Sequence, residues 1–203
     1  STATFNSQSG FIAKWGFNTS YRFQGNISSL RIIKGSNIYS GGNFTPSSTP
    51  ITTTTGGATV SEVELLTCQS NRFLDNSNNG NALTISGAPK VLPFSPFAPS
   101  RSYSKDAVGG SAYFDGTGDF LSITSNADFT FGTGDFTIEM FFYYDGGSSW
   151  SGFPYLIDMR DSQPQAAIAI YANSSTGKFE YYVNGANQIS NITLPSSFKY
   201  LQH

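Results

Sequence analysis

Short runs in which every second residue is apolar recur along the chain, separated by clusters of glycine, proline, serine, threonine and asparagine. An extended backbone sends successive side chains to opposite faces, so such runs predict β-strands with one buried face. The clearest covers 134–144: Phe136, Ile138, Met140, Phe142 and Tyr144 share one face and Glu139 lies on the other, the pattern of a central sandwich strand. The run 26–34 places Leu30 and Ile32 on one face and Ser29 and Arg31 on the other, and Gly35 ends it. Further strands are predicted over 21–23, 63–68, 82–85, 111–114, 119–123, 155–159, 166–172, 178–183 and 188–194. Asn184-Gly185 is a type I′ turn signal between the last two, and Asn-Gly, Gly-Gly and Gly-Thr-Gly elements supply turns elsewhere.

Composition narrows the class to all-β. Charged residues make up 12% of the chain, about half the usual share, against 15% aromatic residues, 21 Gly and 9 Pro. A helix bundle would need many more long charged side chains on its exposed faces. No fixed short period repeats, which argues against a propeller or solenoid. The stretch 45–60, rich in Pro, Thr and Gly, is expected to be an extended linker. It divides residues 1–44, too few strands to enclose a core, from residues 61–203, most of a sandwich with an open edge. Unpaired edges recruit partners through main-chain hydrogen bonds. The strand around Leu30 to Ile33 is therefore expected to pair with a sheet built largely by 61–203, in the same chain or an adjacent subunit.

Charge and side-chain inventory remove several functions. Eleven Lys and Arg against thirteen Asp and Glu give a formal charge of -2 and a pI near 5.2, with no concentrated basic surface for nucleic acid. No apolar run is long enough to cross a membrane as a helix. A single cysteine, Cys68, excludes an intrachain disulfide framework and a Cys-based metal cluster, and is expected to be a buried small hydrophobe. The single histidine, His203, leaves no Ser-His-Asp triad within this sequence. Glu139 is isolated, and Asp158 and Asp161 are three apart, a spacing that does not face one way on a strand. These features point to a protein that is not an enzyme. In the polar loop 145–152, Trp150 is a lone indole that needs a pocket or a ligand, and with Asp145 and Tyr155 it forms the candidate carbohydrate contact.

The run 114–123, Phe-Asp-Gly-Thr-Gly-Asp-Phe-Leu-Ser-Ile, followed by 128–139, Asp-Phe-Thr-Phe-Gly-Thr-Gly-Asp-Phe-Thr-Ile-Glu, closely resembles laminin G-like domains of the concanavalin A-like lectin/glucanase superfamily. The resemblance implies an antiparallel β-sandwich of jelly-roll topology, in which the first run is a hairpin and the second leads into a core strand with Phe136 pointing inward. Residues 25–50 are similar to the end of such a domain, and 65–77 to the opening of the next copy in tandem structural proteins of tailed phages. On that basis 1–44 carry the terminal strands of one copy, and 61–203 form a second copy lacking its last strands. The implied function is a noncatalytic structural or adhesion module of a virion, such as a phage tail or capsid appendage, or of an extracellular or secreted assembly. Its partners would be other subunits or domains. The alternative is a lectin-like module that recognises a cell-surface glycan as receptor. The acidic run that glucanases of the superfamily carry on one strand, Glu-x-Asp-x-x-Glu, is missing, so glycoside hydrolysis is not expected. No cofactor is expected; the resemblance admits calcium at the rim, with Asp158, Asp161 and Asn173 as candidate ligands, although Asp and Asn at strand ends ordinarily make Asx turns.

Overall fold

The computed structural model describes residues 9–17, 20–39, 43–98, 101–145, 152–160 and 167–182, together with the backbone of 183 and 186–193. Its strands are β1 (Gly10–Ile12), β2 (Gln24–Lys34), β3 (Val63–Thr67), β4 (Leu83–Ser86), β5 (Lys90–Leu92), β6 (Ser111–Asp115), β7 (Phe120–Ile123), β8 (Phe136–Tyr144), β9 (Tyr155–Asp158), β10 (Ala169–Asn173), β11 (Lys178–Val183) and β12 (Ala186–Thr193). They form two antiparallel sheets packed together, an all-β sandwich. One sheet runs β12-β11-β10-β9-β1-β7-β4. In the other, β2 is flanked along one edge by β8 and along the other by β6 and β3 placed end to end, with β5 beyond β6. Ile12, Leu121 and Ile157 from the first sheet meet Ile27, Leu30, Ile32, Leu65 and Phe114 from the second in one core, each at most 2% exposed.

The first two strands hold central positions. β1 pairs with both β7 and β9, and β2 pairs with β3, β6 and β8, so the strand around Leu30 to Ile33 finds its partners within the same chain. β1 and β5 have three residues each, too few for an alternation to register. The strand expected over 21–23 shrinks to one bridge, Lys14 opposite Arg22, in the turn that joins β1 to β2. β11 and β12 pair with Val183 opposite Ala186; Asn184-Gly185 lies outside the described residues.

A bulge sets the faces of β2. Ser28 stands opposite Phe141 and Arg31 opposite Glu139, so β2 holds one extra residue there, and Ser29 takes φ 54° to absorb it. Ile27 thereby joins Leu30 and Ile32 in the core despite its odd spacing from both. At Gly25 (φ 141°) a Cβ would come within 2.0 Å of the Tyr143 carbonyl oxygen, so only glycine fits between β6 and β8. On β8, Phe136, Ile138, Met140 and Phe142 pack against the main core, while Phe141 packs on the other face.

The run 114–123 is a corner rather than the hairpin its resemblance implies, because β6 lies in one sheet and β7 in the other. The buried Asp119 carboxylate shapes it, accepting hydrogen bonds from the backbone of Asp115 (3.1 Å) and of Ala88 (2.7 Å).

The 45–60 stretch is docked on the outer face of the five-stranded sheet. Its Ile51 and Ala58 are buried against Ile33, Val63 and Leu66. Arg31, expected on the polar face, is fully buried beneath it: Nε donates to Glu139 at 2.6 Å, and Nη1 and Nη2 donate to the carbonyls of Thr52 (2.7 Å) and Thr55 (2.9 Å). The Tyr39 hydroxyl donates to the other oxygen of Glu139. Burial, reinforced by that hydrogen bond, pushes the Tyr39 pKa up to about 12.

Because β1 and β2 sit mid-sheet, deleting residues 1–34 is expected to abolish the cooperative thermal transition and the near-ultraviolet circular dichroism of the full chain. A shortened chain that keeps both would contradict this topology. Leu30→Ala, at a fully buried position, should cost about 3 kcal/mol in urea unfolding.

Candidate functional site

Tyr155 and Asp158 share the outer face of the seven-stranded sheet although they are three apart. Asp158 stands opposite Ala169, Ile157 opposite Ile170 and Tyr155 opposite Tyr171, which makes Leu156 an extra residue that shifts the phase. Tyr155 is buried, stacked on Trp15 (centroids 5.7 Å apart) and on Tyr171 (4.7 Å). Its ring therefore belongs to the sheet's own aromatic cluster.

Asp158 is held by Arg160, whose Nε donates to Oδ1 at 2.7 Å and Nη2 to Oδ2 at 2.9 Å. The backbone N–H groups of Arg160 and Gly16 add bonds of 3.1 and 3.0 Å. The guanidinium lies over the rings of Tyr182 (4.5 Å) and Phe17 (5.3 Å). Burial alone would lower the Arg160 pKa, but the hydrogen bonds and charge of Asp158 outweigh it and hold the group above its usual value. Asn173 donates to Glu180 at 2.8 Å, and Glu180 also accepts from Tyr171 (2.8 Å) and Thr176 (2.9 Å). Burial and then Glu180 push the Tyr171 hydroxyl upward.

Tyr155, Asp158 and Asn173 thus come to one sheet, whereas Asp145 is exposed just past the end of β8 in the other. Trp150 and Asp161 lie outside the described residues. Cys68 is fully buried, and burial pushes its thiol up to about 12.

The loop 75–81, Asp-Asn-Ser-Asn-Asn-Gly-Asn, gathers more polar groups than sequence reasoning assigned to it. Asp75 accepts from the backbone of Leu66 (3.0 Å), Ser77 (2.9 Å) and Asn81 (2.8 Å). The Asn81 carboxamide joins the Glu64 carbonyl (3.0 Å) and the carboxylates of Asp75 (3.2 Å) and Asp128 (3.1 Å). Burial pushes Glu64 upward; the Asn79 hydrogen bond opposes the rise, and the charges of Asp128 and Asp75 add to it. These carboxylates brace the loop against β3, and among the described residues no group of three or more His, Cys, Asp or Glu could hold a metal ion.

A wide groove adjoins this loop. With a volume of about 580 Å³, it has the connector at Thr49–Thr55 as one wall, loop 69–76 as the second and residues 103–106 as the third. Each wall is fixed from behind. Arg31 holds the carbonyls of Thr52 and Thr55, Asp75 orders the second wall, and Gly109 and Gly110 donate to the carbonyls of Ser104 (2.7 Å) and Gln69 (2.9 Å). At Gly109 (φ 65°) a Cβ would lie 3.0 Å from Pro50 and 3.2 Å from the Gln69 oxygen, so glycine lets the walls close up. Half of the lining residues are Thr, Ser, Asn or Gln; Tyr103, Leu74, Leu66, Ile51 and Pro50 add apolar contacts, and Arg72, Lys105 and Asp106 are charged. Hydroxyl and carboxamide groups on preformed walls suit a ligand dense in hydroxyls, and the volume admits an oligosaccharide segment.

Arg160→Met leaves a buried carboxylate without its cation and should destabilise the chain by about 3 to 5 kcal/mol in urea titration. Glu64 gives a pH test. Its folded pKa lies above the unfolded one, so the folded state holds the proton more tightly and loses stability as pH rises through the interval between the two values. Glu64→Gln removes that loss, and its stability relative to the parent should rise from about pH 4 upward. A difference that stays constant from about pH 3 to about pH 7 would contradict the assignment.

No protein-family model matches the chain, and neither a curated protein nor a solved structure does.

Proposed function

We propose that this chain is a noncatalytic laminin G-like module, serving structure or adhesion in a virion or another extracellular assembly. The observation that carries the proposal is how the buried and half-buried carboxylates are used. Asp158 holds Arg160, Glu139 holds Arg31 and Tyr39, Glu180 holds Tyr171, Asn173 and Thr176, and Asp119 holds two backbone amides. Hydrolysis of a sugar bond needs two carboxyl groups facing each other across an open cleft. The groove wall instead carries Asp106 among neutral polar side chains and two cations, a composition for binding. A rigid sandwich that positions polar loops is a common platform for recognition.

Incubation with a panel of polysaccharides should release no reducing ends above a buffer control. Turnover that survives repurification and disappears on replacing one carboxylate would overturn the proposal. On a glycan array, saturable and competable retention would assign the module to adhesion.

A further inference from the structure

We infer that the groove between the connector and the loops 69–76 and 103–106 binds an anionic saccharide, a sugar carrying a carboxylate or sulfate. Arg72 and Lys105 line this one groove, and their charged groups have no hydrogen bond or ion pair among the described residues. Both are exposed, although Arg31 and Arg160 are each buried against a carboxylate. One carboxylate, Asp106, shares the lining, so the groove carries an excess positive charge on a chain whose formal net charge is -2.

Cations held apart from any internal partner attract an anion, and a guanidinium presents paired donors that match a carboxylate or sulfate. The remainder of the lining selects a saccharide as the carrier of that anion. Thr53 and the neighbouring hydroxyls and carboxamides can exchange hydrogen bonds with ring hydroxyls, and Tyr103 offers an aromatic surface. The pair of cations then distinguishes acidic from neutral glycans, with attraction that weakens as salt rises. This inference deepens the adhesion proposal and rests on it.

Calorimetric titration of the full chain with a galacturonate oligomer, a sulfated dextran oligomer and a neutral maltose oligomer tests it, at low and high salt. The expected result is saturable binding of at least one anionic oligomer, weakened by salt, with the neutral oligomer bound at least about tenfold more weakly. Arg72→Gln and Lys105→Gln should each lower that affinity at least about fivefold without moving the melting temperature, because neither charged group has a partner among the described residues. The two anionic oligomers tell a carboxylate specificity from a sulfate one. Neutral and anionic oligomers bound equally well would overturn the charge selection and leave adhesion standing. Anionic binding unchanged in both variants would place the site elsewhere and overturn the inference. Failure of every saccharide, here and on the array, would remove adhesion as well.

Discussion

The fold depends on two strands that come first in the chain and end up in the middle of both sheets. β1 joins β7 to β9, so that without it the seven-stranded sheet would be two separate pieces with two additional open edges. β2 receives β8 on one side and β6 and β3 on the other. Phe11 pairs with Ser122 and with Asp158, both far along the chain, and such contacts can form only after much of the chain has closed on itself. The two sheets also share Ile12, Ile27 and Leu30 as core residues, which makes this one cooperative packing problem.

Each sheet has a buried arginine on its outer side, where a sandwich is usually wet. Burying a guanidinium is costly unless it is both paired and hydrogen-bonded. Arg31 meets both needs with Glu139 and two connector carbonyls, and Arg160 with Asp158 under aromatic rings. In each case the ion pair recruits a distant loop: the connector in one sheet, and the turn at Gly16 in the other. Specific polar contacts therefore fix these segments alongside their apolar anchors, Ile51 and Ala58 in the connector and Trp15 beside the turn.

That division of labour connects the fold to the groove. Thr52 and Thr55 are tied by their carbonyls, which leaves the connector's side chains to form a wall. Asp75 performs the same service for the loop that bears Arg72, through backbone amides. The interior supplies rigidity, its carboxylates organise the loops, and the groove is left with hydroxyls, carboxamides, apolar contacts, Asp106 and two cations unpaired among the described residues.

Strand periodicity and turn chemistry are local properties, and they were legible. The alternation over 134–144 correctly sets Phe136, Ile138, Met140 and Phe142 against the core and Glu139 away from it, because β8 runs without a bulge of its own. The bulge at Ser29 and the extra residue Leu156 were not legible, since one inserted residue reverses every face beyond it while leaving composition unchanged. Nor could parity show that Arg31 is buried, because its cover comes from residues 52–55, which pattern alone marks as solvent-exposed. The groove was hidden for the same reason, its walls being three segments far apart in sequence. The all-β class and the inward face of β8 follow from side-chain spacing along a few residues. Which strands are central, which charges are buried and where the groove opens depend on distant segments meeting, and their register is settled by packing between sheets.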